Sequence, residues 1–401
     1  MKPKYLKKLL LSEIQSVTEK FDEFCVEPRK NFIRKRKLSF ETVIKTIIGM
    51  ESKSLSNELI DAFDTAPDLP SASAFIQQRS KIKPEAFKTI FSSFTLKVTS
   101  TNPDDIRILA VDGSDIHTPT NSDDLSSFYP GVNGQKPYNL LHLNALYDLN
   151  QNIYTDVLIQ GRKDMDEHIA LQEMVDNSDI PKALIIADRG YESYNNIAHI
   201  QEKGWFFLIR IKDGKSGIKD GLELPKSCEF DEKFSLKLTR RKTNEMKILL
   251  KDKNHYRFIP STHTFDYLTK KPQRKAPVEF YELNFRIVRF KISDDVYESV
   301  ITNLDANDYP AKKLKEMYSL RWGIETSFRD LKYTTGMLNF HSKKVMCIQQ
   351  EIYAHLIMYN FAEMITSHVV IKKKQRKHTY KANFSVAAHM CRLFFRGKTT
   401  S

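Results

Sequence analysis

A tyrosine, an arginine, a glutamate and a lysine recur along YSLRWGIETSFRDLK at intervals of three, four and seven residues, as Tyr318, Arg321, Glu325 and Lys332. An α-helix turns about 100° per residue, so relative to Tyr318 the other three would point to roughly −60°, −20° and −40°. One stripe would then hold a carboxylate, two cations and a phenol, where a core-facing stripe should be apolar. Such a set can offer the glutamate to an oxygen-seeking cation and the other three side chains to phosphate oxygens. The spacing also suits a surface helix with an Arg–Glu pair four residues apart and a half-buried tyrosine. The interval alone does not separate the two.

Two more carboxylates stand where acids are costly. Asp112 follows the run ILAV and precedes Gly113 and Ser114; Asp188 follows LIIA and precedes Arg189 and Gly190. Each closes a segment with the pattern of a strand buried on both faces, where a carboxylate must be paired, hydrogen-bonded or bound to a cation. Either alone could simply cap a strand-to-loop turn beside glycine. Finding the arrangement twice points to a common task.

Neighbouring parallel strands bring their ends together, and a helix packed at the sheet edge could present Glu325 to the same point. Carboxylates a few ångströms apart raise one another's pKa and do not all stay ionised. Two divalent cations resolve the conflict. Mg²⁺, with Mn²⁺ as substitute, takes oxygen ligands, retains water and accepts phosphate oxygens, and two such ions about 4 Å apart suit in-line phosphoryl transfer. The expected metal ligands are therefore Asp112, Asp188 and Glu325, with Tyr318, Arg321 and Lys332 holding the phosphates of a strand being cut.

The elements that must position these residues follow from the apolar patterning. Residues 1–100 read as helical: LKKLLLSEIQSVTEKFDEF and SFETVIKTIIGM have apolar residues three and four apart, and PSASAFIQQRSKIKPEAFKTIFSSF reads as a capped helix followed by a Pro-initiated one. Between them RKNFIRKRK, residues 29–37, carries six cations and is either a solvated face or a contact for a phosphate backbone. Residues 101–211 give the order β-β-β-α-β-α-β, which implies a mixed sheet with helices packed on it. Residues 212–308 alternate polar and apolar in short segments, NEMKILLKD among them, and read as a mostly β insertion. Helical patterning resumes over 309–370, and 371–401 reads as a basic tail free of Asp and Glu.

Bulk properties limit the partners. Lys and Arg number 63 against 50 Asp and Glu, a formal charge of +13 over 401 residues. That excess favours a polyanion, nucleic acid ahead of acidic lipid. No apolar run approaches the roughly 20 residues needed to span a bilayer, and the N-terminal residues lack a signal peptide's long apolar stretch; no membrane partner is expected, and the protein should stay in the compartment where it is made. Cys25, Cys228, Cys347 and Cys391 are scattered without metal-ligand spacing and read as ordinary small hydrophobes. His117, His142 and His168 have no partner at useful spacing and read as surface or satisfied core residues. Arg189 and Tyr191 could touch DNA or pack the turn after Asp188.

Tyr318-x₂-Arg321-x₃-Glu325-x₆-Lys332 resembles the YREK signature of bacterial insertion-sequence transposases of the DDE type, in the group called the insertion-sequence-four family. DGS at Asp112 and ADRGY at Asp188 resemble that family's two aspartate blocks, and SASAFIQQRSKI (71–82) resembles the segment that follows its N-terminal DNA-binding region. The resemblance implies an α/β fold: a ribonuclease-H-like catalytic core with a mostly β insertion, behind an N-terminal helical DNA-binding region. It implies a cut-and-paste DNA transposase that binds the terminal inverted repeats of its own element as double-stranded DNA. Water nicks the DNA, the freed 3′-hydroxyl attacks the opposite strand to form a hairpin, the hairpin is opened, and the 3′ ends are joined to target DNA. Asp112, Asp188 and Glu325 would hold the two ions, Tyr318, Arg321 and Lys332 would position DNA, and a homodimer would form the paired-end complex in the bacterial cytoplasm at the nucleoid. Trp205 and Trp322 are the only tryptophans, neither in the β insertion where some relatives stack a flipped base, so Tyr281 or Tyr297 would take that role or the hairpin step would differ. A catalytically silent DNA-binding regulator and another ribonuclease-H-like nuclease are the alternatives, and DNA cleavage with strand transfer separates them.

Overall fold

The computed structural model describes residues 2–64, 69–99, 105–132, 134–212, 217–271, 277–367 and 383–399. The chain opens with five helices: α1 (Pro3–Glu19), α2 (Phe40–Gly49), α3 (Leu55–Phe63), α4 (Ala72–Arg79) and α5 (Glu85–Val98). Then come β1 (Arg107–Thr118), β2 (Phe128–Tyr129), β3 (Tyr138–Asp148), β4 (Ile153–Gly161), α6 (Glu167–Asp176), β5 (Ala183–Ala187), α7 (Tyr194–Glu202) and β6 (Phe206–Arg210). The next segment holds β7 (Phe230–Thr239), α8 (Asn244–Leu249), β8 (Tyr256–Phe258), β9 (Tyr281–Ser293) and β10 (Val296–Thr302). The chain closes with α9 (Ala311–Ser319), α10 (Trp322–Arg329), a π-helical turn (Asp330–Thr334), α11 (Val345–Thr366) and α12 (Phe384–Arg396). The fold is mixed α/β with a large sheet, and its residues divide into two compact units.

The first unit comprises Met1–Thr101, Gly113–Met165 and Ile324–Ser401. Its helices begin where side chains can take the orphan N–H groups of a first turn: Ser39 Oγ accepts from Thr42 N and Ser71 Oγ from Ala74 N. In α1 the buried Leu6, Leu10, Ile14 and Val17 recur at helical spacing and form one face. Helix α11 is apolar all round and buried along most of its length, so burial of its side chains rather than an amphipathic face stabilises it, at about 1.5–3 kcal/mol for each large one. Its polar exceptions are bonded. Asn360 accepts from Tyr154 N at 2.9 Å and donates to Tyr154 O at 2.8 Å and Thr95 Oγ1 at 3.0 Å, which fixes α11 to β4 and α5. Strands β2, β3 and β4 pair antiparallel.

The second unit comprises Asn102–Asp112 and Asp166–Gly323. Its strands run β1-β5-β6-β10-β9-β7-β8. β1, β5 and β6 are parallel, and the β5 residues Ala183–Ala187 are all fully buried, as a central strand covered on both faces should be. β6, β10, β9 and β7 are antiparallel to one another in turn, so the segment read as a mostly β insertion supplies the antiparallel strands of this sheet.

Three expectations change. The stretch from Tyr318 to Lys332 is not one α-helix: Arg321 N donates to Tyr318 O at 3.1 Å and Gly323 N to Leu320 O at 2.8 Å, a tightened turn between α9 and α10, and Thr335 N donates to Asp330 O at 3.0 Å across the widened turn. NEMKILLKD forms α8 instead of a strand, because Thr243 Oγ1 caps Met246 N and the short apolar run suits either state. Within the expected tail, residues 384–396 form α12, whose Ala388, Cys391, Phe394 and Phe395 are buried; KKKQRKHTYK lies outside the described residues.

Candidate active site

In the second unit, β1 and β5 run parallel in the register Arg107↔Ala183 through Ala110↔Ile186. Carried two residues further, that register sets Asp112 level with Asp188 and on the same face, on strands about 4.8 Å apart. Asp112 does not close its strand as the run ILAV suggested, because β1 continues to Thr118, whereas Asp188 directly follows β5; both side chains are partly accessible. Asp188 starts a tight turn, its Oδ1 accepting from Gly190 N at 2.7 Å; a Cβ at Gly190 would come within 2.9 Å of that oxygen, which explains the glycine. The strand-end cap is therefore real for Asp188, but it occupies only one face of the carboxylate.

Arg321, in the tight turn before α10, brings its Nη1 to 3.8 Å from Asp112 Oδ2. Its guanidinium also lies 4.9 Å from the ring centre of Trp322, whose side chain is 61% exposed. Tyr318, at the end of α9, is buried, and burial pushes its phenol up to about 12 against the pull of the Arg321 charge; Glu298 and Asp188 add to the rise and Arg210 opposes it. Tyr318 is thus a neutral hydrogen-bond donor at any working pH. In this unit Asp112, Asp188, Tyr318 and Arg321 share one electrostatic neighbourhood.

In the first unit, Glu325 lies in the first turn of α10 and is half-buried. Lys332, in the π-helical turn, donates to Ser114 Oγ at 2.7 Å and Asp115 O at 2.6 Å. Burial lowers its pKa and the nearby Asp115 charge raises it, the first effect prevailing. Asp115 is itself held by His142 Nδ1 at 2.6 Å and Arg162 Nε at 3.0 Å. Burial would raise this carboxyl, yet the His142 hydrogen bond and the Arg162 charge hold it below the usual range. His142 is buried, with its Nδ1 on Asp115 Oδ1.

Among the described residues no three His, Cys, Asp or Glu side chains stand together in metal-binding geometry. The donor set of this pair nonetheless fits a hard divalent ion: Asp112 and Asp188 both offer carboxylate oxygen and both are partly accessible.

Sequence reasoning missed three features. The Asp115–His142–Arg162 group depends on β1 meeting residues 27 and 47 positions away. Tyr191, read above as touching DNA or packing the turn, is 2% exposed, and the charges acting on its hydroxyl include those of Asp112, Asp188 and Arg321. Glu167, at the start of α6, shares that neighbourhood. Only Tyr191 carried a local signal, its place three residues after Asp188.

The description "Transposase DDE domain" matches residues 103–361. The transposase InsG of insertion sequence element IS4 from Escherichia coli K12 is 22% identical over 382 residues, an alignment covering 91% of this chain and 77% of that protein. The transposase of insertion sequence element IS231E from Bacillus thuringiensis subsp. finitimus is 22% identical over 300 residues, covering 67% of this chain and 60% of its own length. Among solved structures, the cryo-EM structure of a piggyBac transposase synaptic complex with hairpin DNA superposes with a TM-score of 0.46 at 12% identity, over 99% of this chain and 81% of that one. No described helix is long and apolar enough to cross a membrane. With two thirds of its length matched by the domain and insertion-sequence transposases aligned along most of the rest, the chain belongs to the family of transposase DDE domains, metal-dependent enzymes that cut and join DNA.

Proposed function

We propose that this chain is the transposase of its own insertion sequence, binding the terminal inverted repeats and cutting and rejoining DNA at Asp112, Asp188 and Glu325 through a ribonuclease-H-like core. The observation that carries this reading is the level pair of carboxylates on the parallel strands β1 and β5, Asp112 midway along the first and Asp188 just past the end of the second, with Arg321 3.8 Å from Asp112. The order of β1 to β4, with β2 only two residues long, followed by the helix-separated parallel strands β5 and β6 supports the core assignment. Two Mg²⁺ ions held by the three carboxylates would supply water activation and leaving-group stabilisation. The residues of the chain do the rest. Arg321 and Lys332 bind the phosphates flanking the scissile bond, and Tyr318, kept neutral by burial, donates to a phosphate oxygen and fixes the strand's approach.

The N-terminal helical region is read as a DNA-binding element. Residues 33–37, IRKRK, are all exposed between the buried anchors Asn31 and Leu38, and Phe32 packs edge-on against Phe40 at 5.5 Å. Lys30, Arg34, Arg36 and Lys81 line a cleft of about 200 Å³. A basic loop tied down at both ends suits sequence-independent contact with phosphates. Two chains acting on paired ends complete the reading.

The test uses DNA flanking the gene. Purified protein is incubated with a labelled fragment carrying the inverted repeat, in Mg²⁺ or EDTA, and products are resolved on denaturing gels. Metal-dependent cuts at the repeat boundary, absent in Asp188→Ala and Glu325→Gln although both still bind the repeat, are expected. Tight binding without cutting, even in Mn²⁺, would instead assign the chain a regulatory role.

A further inference from the structure

Tyr191 sits in the tight turn that follows β5, with its N–H on Asp188 O at 3.2 Å and its carbonyl held by Asn196 Nδ2 at 3.0 Å. Its ring meets His168 edge-on, with centres 6.4 Å apart. Backbone and ring are both fixed, and the residue is 2% exposed. Its hydroxyl is buried and has no hydrogen-bond partner among the described residues. A buried hydroxyl left in that condition is destabilising, and native proteins keep few of them. Phenylalanine would fill the same volume without that cost, so the oxygen calls for a purpose.

The surroundings indicate one. The charges acting on the hydroxyl are those of Glu167, Asp112, Asp188 and Arg321. A phenol is a neutral hydrogen-bond donor at ordinary working pH. A neutral donor, rigidly mounted beside acids, is suited to orienting a carboxylate: a hydrogen bond to one oxygen directs the other towards a ligand.

We infer that Tyr191 is a positioning residue for the cutting site, its hydroxyl donating to a carboxylate oxygen of Asp112 or Asp188 when those groups engage a divalent ion. The inference rests on the reading of Asp112 and Asp188 as ion ligands. It goes beyond that reading by giving the turn after Asp188 a task of its own.

The full-length Tyr191→Phe protein tests it. Three readings are taken: the melting temperature without metal, Mn²⁺ affinity by electron paramagnetic resonance, and cleavage of the flanking-repeat fragment. The expected result is a melting temperature equal to or above that of the parent, because an unpaired buried hydroxyl has been removed, together with a loss of about 10- to 100-fold in Mn²⁺ affinity or cleavage. A lower melting temperature, or failure to fold, would show that the hydroxyl supports the fold, and the inference fails. Unchanged Mn²⁺ affinity and cleavage also overturn it. If the loss disappears in a Glu167→Gln background, the hydroxyl acts through Glu167 and the assignment to the aspartates is wrong. Asp188→Ala separates the two levels: Mn²⁺ binding and cleavage that survive it refute the site itself, whereas their loss in Asp188→Ala beside a fully active Tyr191→Phe refutes only the role of Tyr191.

Discussion

Replacing Arg79 with methionine should remove about 3 kcal/mol of stability from the unit that holds it while leaving the carboxylates of the other unit untouched. Arg79 ends α4 and is fully buried; its Nη1 lies 2.7 Å from Glu351 Oε1, its Nε 3.2 Å from Gln350 Oε1 and its Nη2 2.8 Å from Cys347 O. Gln350 returns bonds to Arg79 O at 3.1 Å and Ile82 O at 2.6 Å. Glu351, 2% exposed, also takes His341 Nδ1 at 3.0 Å. Burial opposes ionisation of Glu351, yet the His341 hydrogen bond and the Arg79 charge lower its carboxyl from an ordinary 4.5 to about 2. Removing one member of a buried pair costs about 3–5 kcal/mol, because the other stays buried and charged; with His341 still holding Glu351, the lower end of that range applies. Urea unfolding followed by circular dichroism measures the loss, and a cycle with Glu351→Gln isolates the pair. A loss under about 1 kcal/mol, or strict additivity in the cycle, would refute the account.

Two further outcomes can be checked directly. The Glu351 carboxyl is depressed, so its contribution is complete above its ordinary 4.5 and is lost as pH falls towards about 2; the His341 pKa is raised, so its contribution is complete below 6.5 and is lost as pH climbs through the raised value. Melting temperature should therefore fall on both sides of a plateau between these limits, and Glu351→Gln should flatten the acid side; an acid limb unchanged in that variant would reject the assignment. Arg34→Gln with Arg36→Gln should reduce the slope of log affinity against log salt by about 2 for duplex DNA, in anisotropy titrations over a salt series. An unchanged slope would remove the 33–37 loop from the DNA contact.

Much of the scaffold was legible because it is local. The runs ILAV and LIIA are β-branched or aliphatic, continuous and closed by Asp-Gly or Asp-Arg-Gly, and they became β1 and β5 with Asp112 and Asp188 at matching positions. Ser39 and Ser71 announced their helices by standing before apolar periodic segments. What was illegible depends on distant partners. Nothing local says that Arg79 in SASAFIQQRSKI meets residues about 270 positions later, so a segment singled out only by resemblance turns out to carry a buried ionic junction. NEMKILLKD failed for a different reason: six residues are too few for helical and strand periods to differ, and one threonine cap decided the outcome.

The YREK interval shows how a correct spacing can rest on an inexact picture. On one ideal helix the four residues would share a stripe, but the tightened turn at Leu320–Gly323 and the widened turn at Asp330–Thr334 change the phase on either side of Glu325. What the interval preserves is a set of partners. Arg321 answers to Asp112, and Lys332 to Ser114 and Asp115 O, all on β1. The partners also account for residue type. Ser114 Oγ and Asp115 O are two neutral acceptors at 2.6–2.7 Å from one nitrogen, a demand met by a compact ammonium with three rotatable donors and poorly by a flat guanidinium. Arg321 faces a carboxylate and stacks on an exposed indole, where the planar, weakly hydrated guanidinium is the better fit. Exchanging the two cations would keep every charge in the signature and break both sets of contacts. The interval therefore carries two cations, each fitted to its own partners on β1, rather than one stripe of charge.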